Sequence, residues 1–135
     1  MSRARAVPVP PALARCLESV LKAPIGSVRV IEHSRYARLH ARAVATTRRE
    51  RIYLRGSAEE FFANPWLMLH EYCHVVHQWR PGRLSVWRYL HECLRRGYWN
   101  NRFEIEAREF ADLNLAQLHT RLAQAPAQPS SASRR

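Results

Sequence analysis

Two histidines four residues apart, with a glutamate beside the first, carry the strongest chemical signal in this chain: His70-Glu71-Tyr72-Cys73-His74. On a helix, residues four apart stand one turn above each other. Both imidazoles therefore point at one spot and can grip a single zinc ion. Glu71, next to His70, is rotated towards the same space, where it can take a proton from a water that zinc acidifies towards neutral pH. The bland alternative is a pair of core or surface histidines on an ordinary helix. The surroundings favour the metal. Asn64-Pro65 is a helix start, because Asn caps free N–H groups and Pro fits the first turn. Leu69, Val75 and Val76 supply an apolar back face, and a β-prone piece, Ile52–Leu54, precedes the helix.

A zinc site needs a third protein ligand. The extended pattern with a third histidine is absent, since His77 stands in its glycine slot and Arg80 in its last slot. His77 lies two turns from His70 and is read as a supporting or partly exposed group. The other source is a carboxylate from a later helix, where Glu104, Glu106 and Glu109 compete. At about 100° per residue, they lie roughly 60°, 100° and 160° from the centre of the apolar face formed by Phe103, Ala107, Phe110, Ala111 and Leu118. Glu104 is the expected ligand, Glu106 the reserve, and Glu109 a solvated charge. Ala107 and Ala111 are small enough to let this helix lie close to the one bearing the histidines.

The elements that must position these groups read as an α+β fold, strands first and helices after. Residues 1–10 are expected to be a flexible leader, 11–122 a single domain, and 123–135 a disordered tail rich in Pro, Ser and Ala. Pro11 opens a helix carrying Leu13, Leu17, Val20 and Leu21 at helical spacing. Val28 to Ile31 suggests a short strand, residues 34–40 a helical turn or two, and 43–47 with 52–54 a hairpin around Arg48-Arg49-Glu50. Three helices follow, over about 64–79, 84–96 and 102–122. Trp87, Tyr89, Trp99 and Phe103 are expected in the core.

Composition narrows the classes. At 135 residues there is room for one modest core. Twenty-two basic against eleven acidic residues give a net charge of +11, and every basic residue except Lys22 is arginine. The arginines are scattered rather than focused, so nucleic acid is a weaker expectation than ordinary solubility. Three cysteines, Cys16, Cys73 and Cys93, without a C-x-x-C spacing argue against a disulfide scaffold and a cysteine-built zinc site. No run approaches a membrane span. Proline-rich residues 7–11 replace the apolar stretch of a secretory peptide. Reduced thiols fit the cytoplasm, and export by a route without a signal peptide stays open.

The segments His70 to Gln78, Gly97-Tyr98 and Asn101 to Ala107 together resemble a minimal gluzincin-type zinc metallopeptidase. More narrowly, they resemble the bacterial H-E-x-x-H domain of extracellular contractile injection system (eCIS) proteins, with its N-P-F-E-x-E-A segment. Arg102 stands where that family often has Pro, and His77 where it often has Gln. The resemblance covers about residues 28–115 and implies a zincin-like fold with one Zn2+ held by His70, His74 and Glu104. It also implies Glu71 as the base of peptide-bond hydrolysis. A further donor must stabilise the oxyanion, and Tyr98 and His91 are the candidates from the connection leading to Glu104. Ile52–Leu54, if it is an exposed edge, would pair with a peptide substrate. Two alternatives remain: a catalytically idle zinc module for partner assembly or delivery, and a basic DNA-associated protease-like protein.

Overall fold

The computed structural model describes residues 3–38 and 45–126. Strands β1 (Arg5–Val7), β2 (Arg29–Glu32), β3 (Ala45–Arg48) and β4 (Arg51–Leu54) form one sheet in the order β1-β2-β4-β3. β2 and β4 run parallel, and the two outer pairs are antiparallel. Helix α1 (Pro11–Leu21) connects β1 to β2, and one turn, α2 (Arg35–Arg38), follows β2. After the sheet come α3 (Ala58–Phe62), α4 (Pro65–Cys73), a π-helix (His74–Trp79), α5 (Val86–Arg96) and α6 (Arg102–Gln124). The architecture is mixed α+β, a small N-terminal sheet followed by helices.

Alternation explains the sheet's inner face: Val30, Ile52 and Leu54 are buried, while Arg29 and Arg51 on the other face are exposed. These side chains share one buried cluster with Leu13, Leu17, Val20 and Leu21 of α1, Met68, Leu69 and Tyr72 of α4, and Ala111 and Leu118 of α6. Burying side chains of this size contributes about 1.5–3 kcal/mol each. The β3–β4 turn places Glu50 at a positive φ of 58°, which is unfavourable for a non-glycine residue. It is held from outside. Arg80 donates to both Glu50 carboxylate oxygens, at 2.5 and 3.0 Å, and Ser27 donates at 2.7 Å. These donors, the Arg80 bond first, keep the Glu50 carboxyl below its usual range.

Several sequence expectations are corrected. Residues 5–7 are not flexible leader: they pair antiparallel with β2, and Arg5 meets Glu32 at 3.3 Å. Ile52–Leu54 is not an edge but lies between β2 and β3, and the edge on that side is β3. α6 runs two residues past the expected boundary, and the tail from residue 127 lies outside the described residues, as do 39–44. Trp87 and Trp99 are exposed rather than core, whereas Phe103 is buried and Tyr89 half-buried. Helical spacing marks an apolar stripe but does not say what covers it.

The expected start of the histidine-bearing helix is observed, with the Asn64 side chain accepting from the Leu67 N–H at 3.1 Å and Pro65 in the first turn. Asn64→Ala should lower stability by about 1 kcal/mol, measured by urea denaturation. An unchanged midpoint would show that the cap is not what holds this helix end.

Candidate metal centre

His70 and His74 lie on the inward side of α4 and at the start of the π-helix, in a segment buried from Met68 to Val76. α6 packs along α4 more extensively than any other pair of elements, and Ala107 and Ala111, both fully buried, allow that approach. Asn101 sets where α6 begins. Its side-chain Oδ1 accepts from the Phe103 N–H at 2.9 Å, while its side-chain Nδ2 donates to the Tyr89 carbonyl and the Cys93 sulfur on α5. Glu104 therefore falls in the first turn of α6, where the helix dipole favours a negative charge.

Three side chains meet there. Glu104 Oε2 lies 3.1 Å from His70 Nε2, Glu104 Oε1 lies 3.1 Å from His74 Nε2, and the two Nε2 atoms are 3.3 Å apart. All three residues are buried. Tetrahedral ligands at zinc–nitrogen distances of about 2.0–2.1 Å stand about 3.3 Å from one another. The donor set thus has the spacing and the chemistry of a His-His-carboxylate site for a divalent cation.

Hydrogen bonding also selects the right nitrogen of His74. Gln78 is fully buried, and its amide nitrogen donates to the Phe103 carbonyl at 2.9 Å and to Glu106 at 3.3 Å. Two acceptors on that side orient the amide, so its oxygen faces His74 Nδ1, 2.6 Å away. Nδ1 must therefore carry a proton, and Nε2 is the atom presented to the cluster. His70 is oriented by packing instead. Trp66 stacks on it at 5.1 Å between ring centroids and is itself anchored to α6 by a 2.8 Å bond to Asp112. Tyr89 donates to Glu104 Oε1 at 3.2 Å.

Charge follows the same arrangement. Burial pushes Glu104 up, but the hydrogen bonds and charges of His70 and His74 outweigh it and hold the carboxyl well below its usual range. Burial pulls His74 down, but the bond and charge of Glu104, with Glu71 and Gln78, hold it up at about 9. A proton held on His74 would therefore compete with a cation for this cluster. Glu71 is buried beside the cluster, and desolvation raises its pKa, opposed by the charges of His74 and His70.

Glu71, His74 and Glu104 open onto a cavity of about 350 Å³. Thr46 and Thr47 of the β3 edge line one part, and Leu90 and Tyr98 another. Burial and the charges of Glu104 and Glu71 push the Tyr98 hydroxyl well above the usual phenol range, so it keeps its proton. Other expected residues fall elsewhere. Glu106 is not a reserve ligand: its carboxylate takes two bonds from Arg83, at 2.8 and 2.6 Å, besides the Gln78 contact. His91 is exposed and does not line the cavity. His77 packs against Phe110, away from the cluster, and Glu109 is exposed. Gln78, Trp66 and Tyr89 were not singled out for the site from sequence. A glutamine one turn after the second histidine was the only available hint.

Residues 8–82 match the family model described as the eCIS core domain. The match spans more than half of the chain, and the chain belongs to that family. It takes in His70, Glu71 and His74 and ends before Glu104. No curated protein and no solved structure matches the chain.

Gln78→Leu should weaken zinc binding roughly 10–100-fold, read by competition with a chelating dye; unchanged affinity would detach Gln78 from the site. The raised pKa of His74 fixes a second expectation. Its contribution to metal-free stability is complete below its ordinary value of 6.5 and is lost as pH rises through about 9. Thermal melts in chelator should fall across that window, and melts with zinc should not, because the cation displaces the proton.

Proposed function

We propose that this eCIS core domain protein is a zinc-dependent metallopeptidase with a zincin-like site, in which His70, His74 and Glu104 hold one Zn2+ and Glu71 moves the proton. The observation that carries the proposal is the 3.1–3.3 Å convergence of three buried donors beside a buried, non-ligating glutamate. A purely structural metal site has no use for such a base.

When bound, zinc supplies Lewis acidity, acidifying a water molecule and polarising the carbonyl of the scissile bond. Glu71 takes the proton of the attacking water and returns it to the departing amine. Its burial supports the first half of that cycle, since a carboxylate with a raised pKa accepts a proton more readily than an exposed one. Tyr98, at the cavity wall and held protonated, is the candidate donor to the oxyanion. The edge strand β3 supports a polypeptide substrate: an extended segment adding to it would run past Thr46 and Thr47 into the cavity that Glu71 shares.

Two substitutions separate ligand from base. Glu104→Ala should abolish stoichiometric zinc in the purified protein, measured by atomic emission. Glu71→Gln should retain zinc and lose cleavage of an unfolded casein substrate by at least about 100-fold. If wild type and Glu71→Gln bind zinc equally and neither cleaves, the peptidase reading fails and a non-catalytic metal module remains.

A further inference from the structure

Helix α5 has two parallel stripes, and both face solvent. Trp87, Leu90 and Leu94 recur at i, i+3 and i+7, and are 80%, 46% and 90% exposed. One residue on, Arg88, His91 and Arg95 recur at the same spacing and are exposed as well. The helix meets the body of the protein through its other side, where Glu92 is buried and pairs with Arg96 and Arg102. No carboxylate among the described residues pairs with Arg88 or Arg95: Arg88 donates to the Gly82 and Arg83 carbonyls. The helix thus spends its strongest apolar side chains on water and leaves its charge uncompensated. Burial in the fold explains neither stripe.

We propose that α5 seats the protein on an anionic membrane surface, with Trp87, Leu90 and Leu94 entering the boundary of the acyl chains and Arg88, His91 and Arg95 meeting the lipid headgroups. An apolar stripe with tryptophan beside a basic stripe is the pattern of a helix lying in the plane of that boundary. Shape favours lipid over a protein partner. Side chains exposed to this degree form a ridge rather than a pocket, and a deformable interface accepts a ridge without a matching groove. Charge disfavours a second copy, which would bring two basic stripes together. The net charge of +11 adds attraction to anionic lipid. No described helix is long and apolar enough to cross a membrane, so the contact is peripheral. Leu90 and Tyr98 also line the cavity, so its mouth would open near the lipid surface. The proposal rests on α5 alone and stands or falls separately from the peptidase reading.

The test is co-sedimentation of the full chain with phosphatidylcholine vesicles, with and without phosphatidylglycerol. Binding to the anionic vesicles should exceed binding to the neutral ones by at least about tenfold, with a blue shift in tryptophan emission. Trp87→Ser with Leu94→Ser should lower anionic-vesicle binding at least about tenfold, and Arg88→Gln with Arg95→Gln should lower it comparably. All four side chains are exposed, and circular dichroism checks that each variant is folded. Absence of binding to anionic vesicles would overturn the proposal. So would a Trp87/Leu94 variant that binds like wild type, because scattered arginines would then be responsible. A concentration-dependent dimer in solution, abolished by the same pair of serines, would assign the ridge to a second copy and overturn it too.

Discussion

A carboxylate buried against two imidazoles is the constraint on which this fold turns. Glu104 is almost fully removed from water, and a lone buried charge would be strongly destabilising. It is tolerable because His70 and His74 stand 3.1 Å away, the Tyr89 hydroxyl donates to it at 3.2 Å, and it sits in the first turn of α6. Two helices far apart in sequence must therefore meet at one height and one rotation. Each further contact serves that meeting: Asn101 fixes the first turn of α6, Ala107 and Ala111 let the helices approach, and the Trp66–Asp112 bond ties α4 to α6 beside His70.

The residues that a sequence reveals are those whose role is local or periodic. The histidine pair, the Asn64-Pro65 start and the β3–β4 turn depend on neighbours within a few positions, and all appear where expected. The ranking of the three glutamates also came from periodicity alone. Glu104, nearest the apolar face, is buried in the cluster, Glu106 is half-buried with Arg83, and Glu109 is exposed. Periodicity fails where the partner is remote. Nothing local to Gln78 announces that it will bridge His74 to the Phe103 carbonyl and to Glu106, 25 and 28 residues away. β1 is only three residues long and becomes a strand because β2 offers it an edge.

α5 shows the limit of such reading most clearly. Trp87, Leu90 and Leu94 have the spacing of a core-facing stripe, and Trp87 was expected in the core. Yet the buried side of the helix is set by Asn101 bonding to the Tyr89 carbonyl and Cys93, and by Glu92 pairing with arginines. Polar anchors fixed the rotation and left the apolar stripe outside. An amphipathic pattern reports that a helix has two faces; tertiary hydrogen bonds decide which one turns inwards.

Arg80 shows how the position that an extended histidine motif would give to a ligand is taken up by the scaffold. It stands where an extended histidine motif would place a third ligand, but its guanidinium is turned to the sheet, gripping Glu50 and the Pro24 carbonyl at 2.6 Å. That position therefore secures the β3–β4 turn, the same hairpin whose edge strand borders the cavity. The third member of the cluster, Glu104, lies beyond residue 82, where the match to the eCIS core domain ends. The candidate metal centre is in this sense divided. The histidines and Glu71 belong to the segment that defines the family, and Glu104 belongs to a helix that must dock before the donor set exists. Any binding of a cation by this cluster would therefore be coupled to the packing of α6 against α4, because whatever separates the helices also separates the three donors.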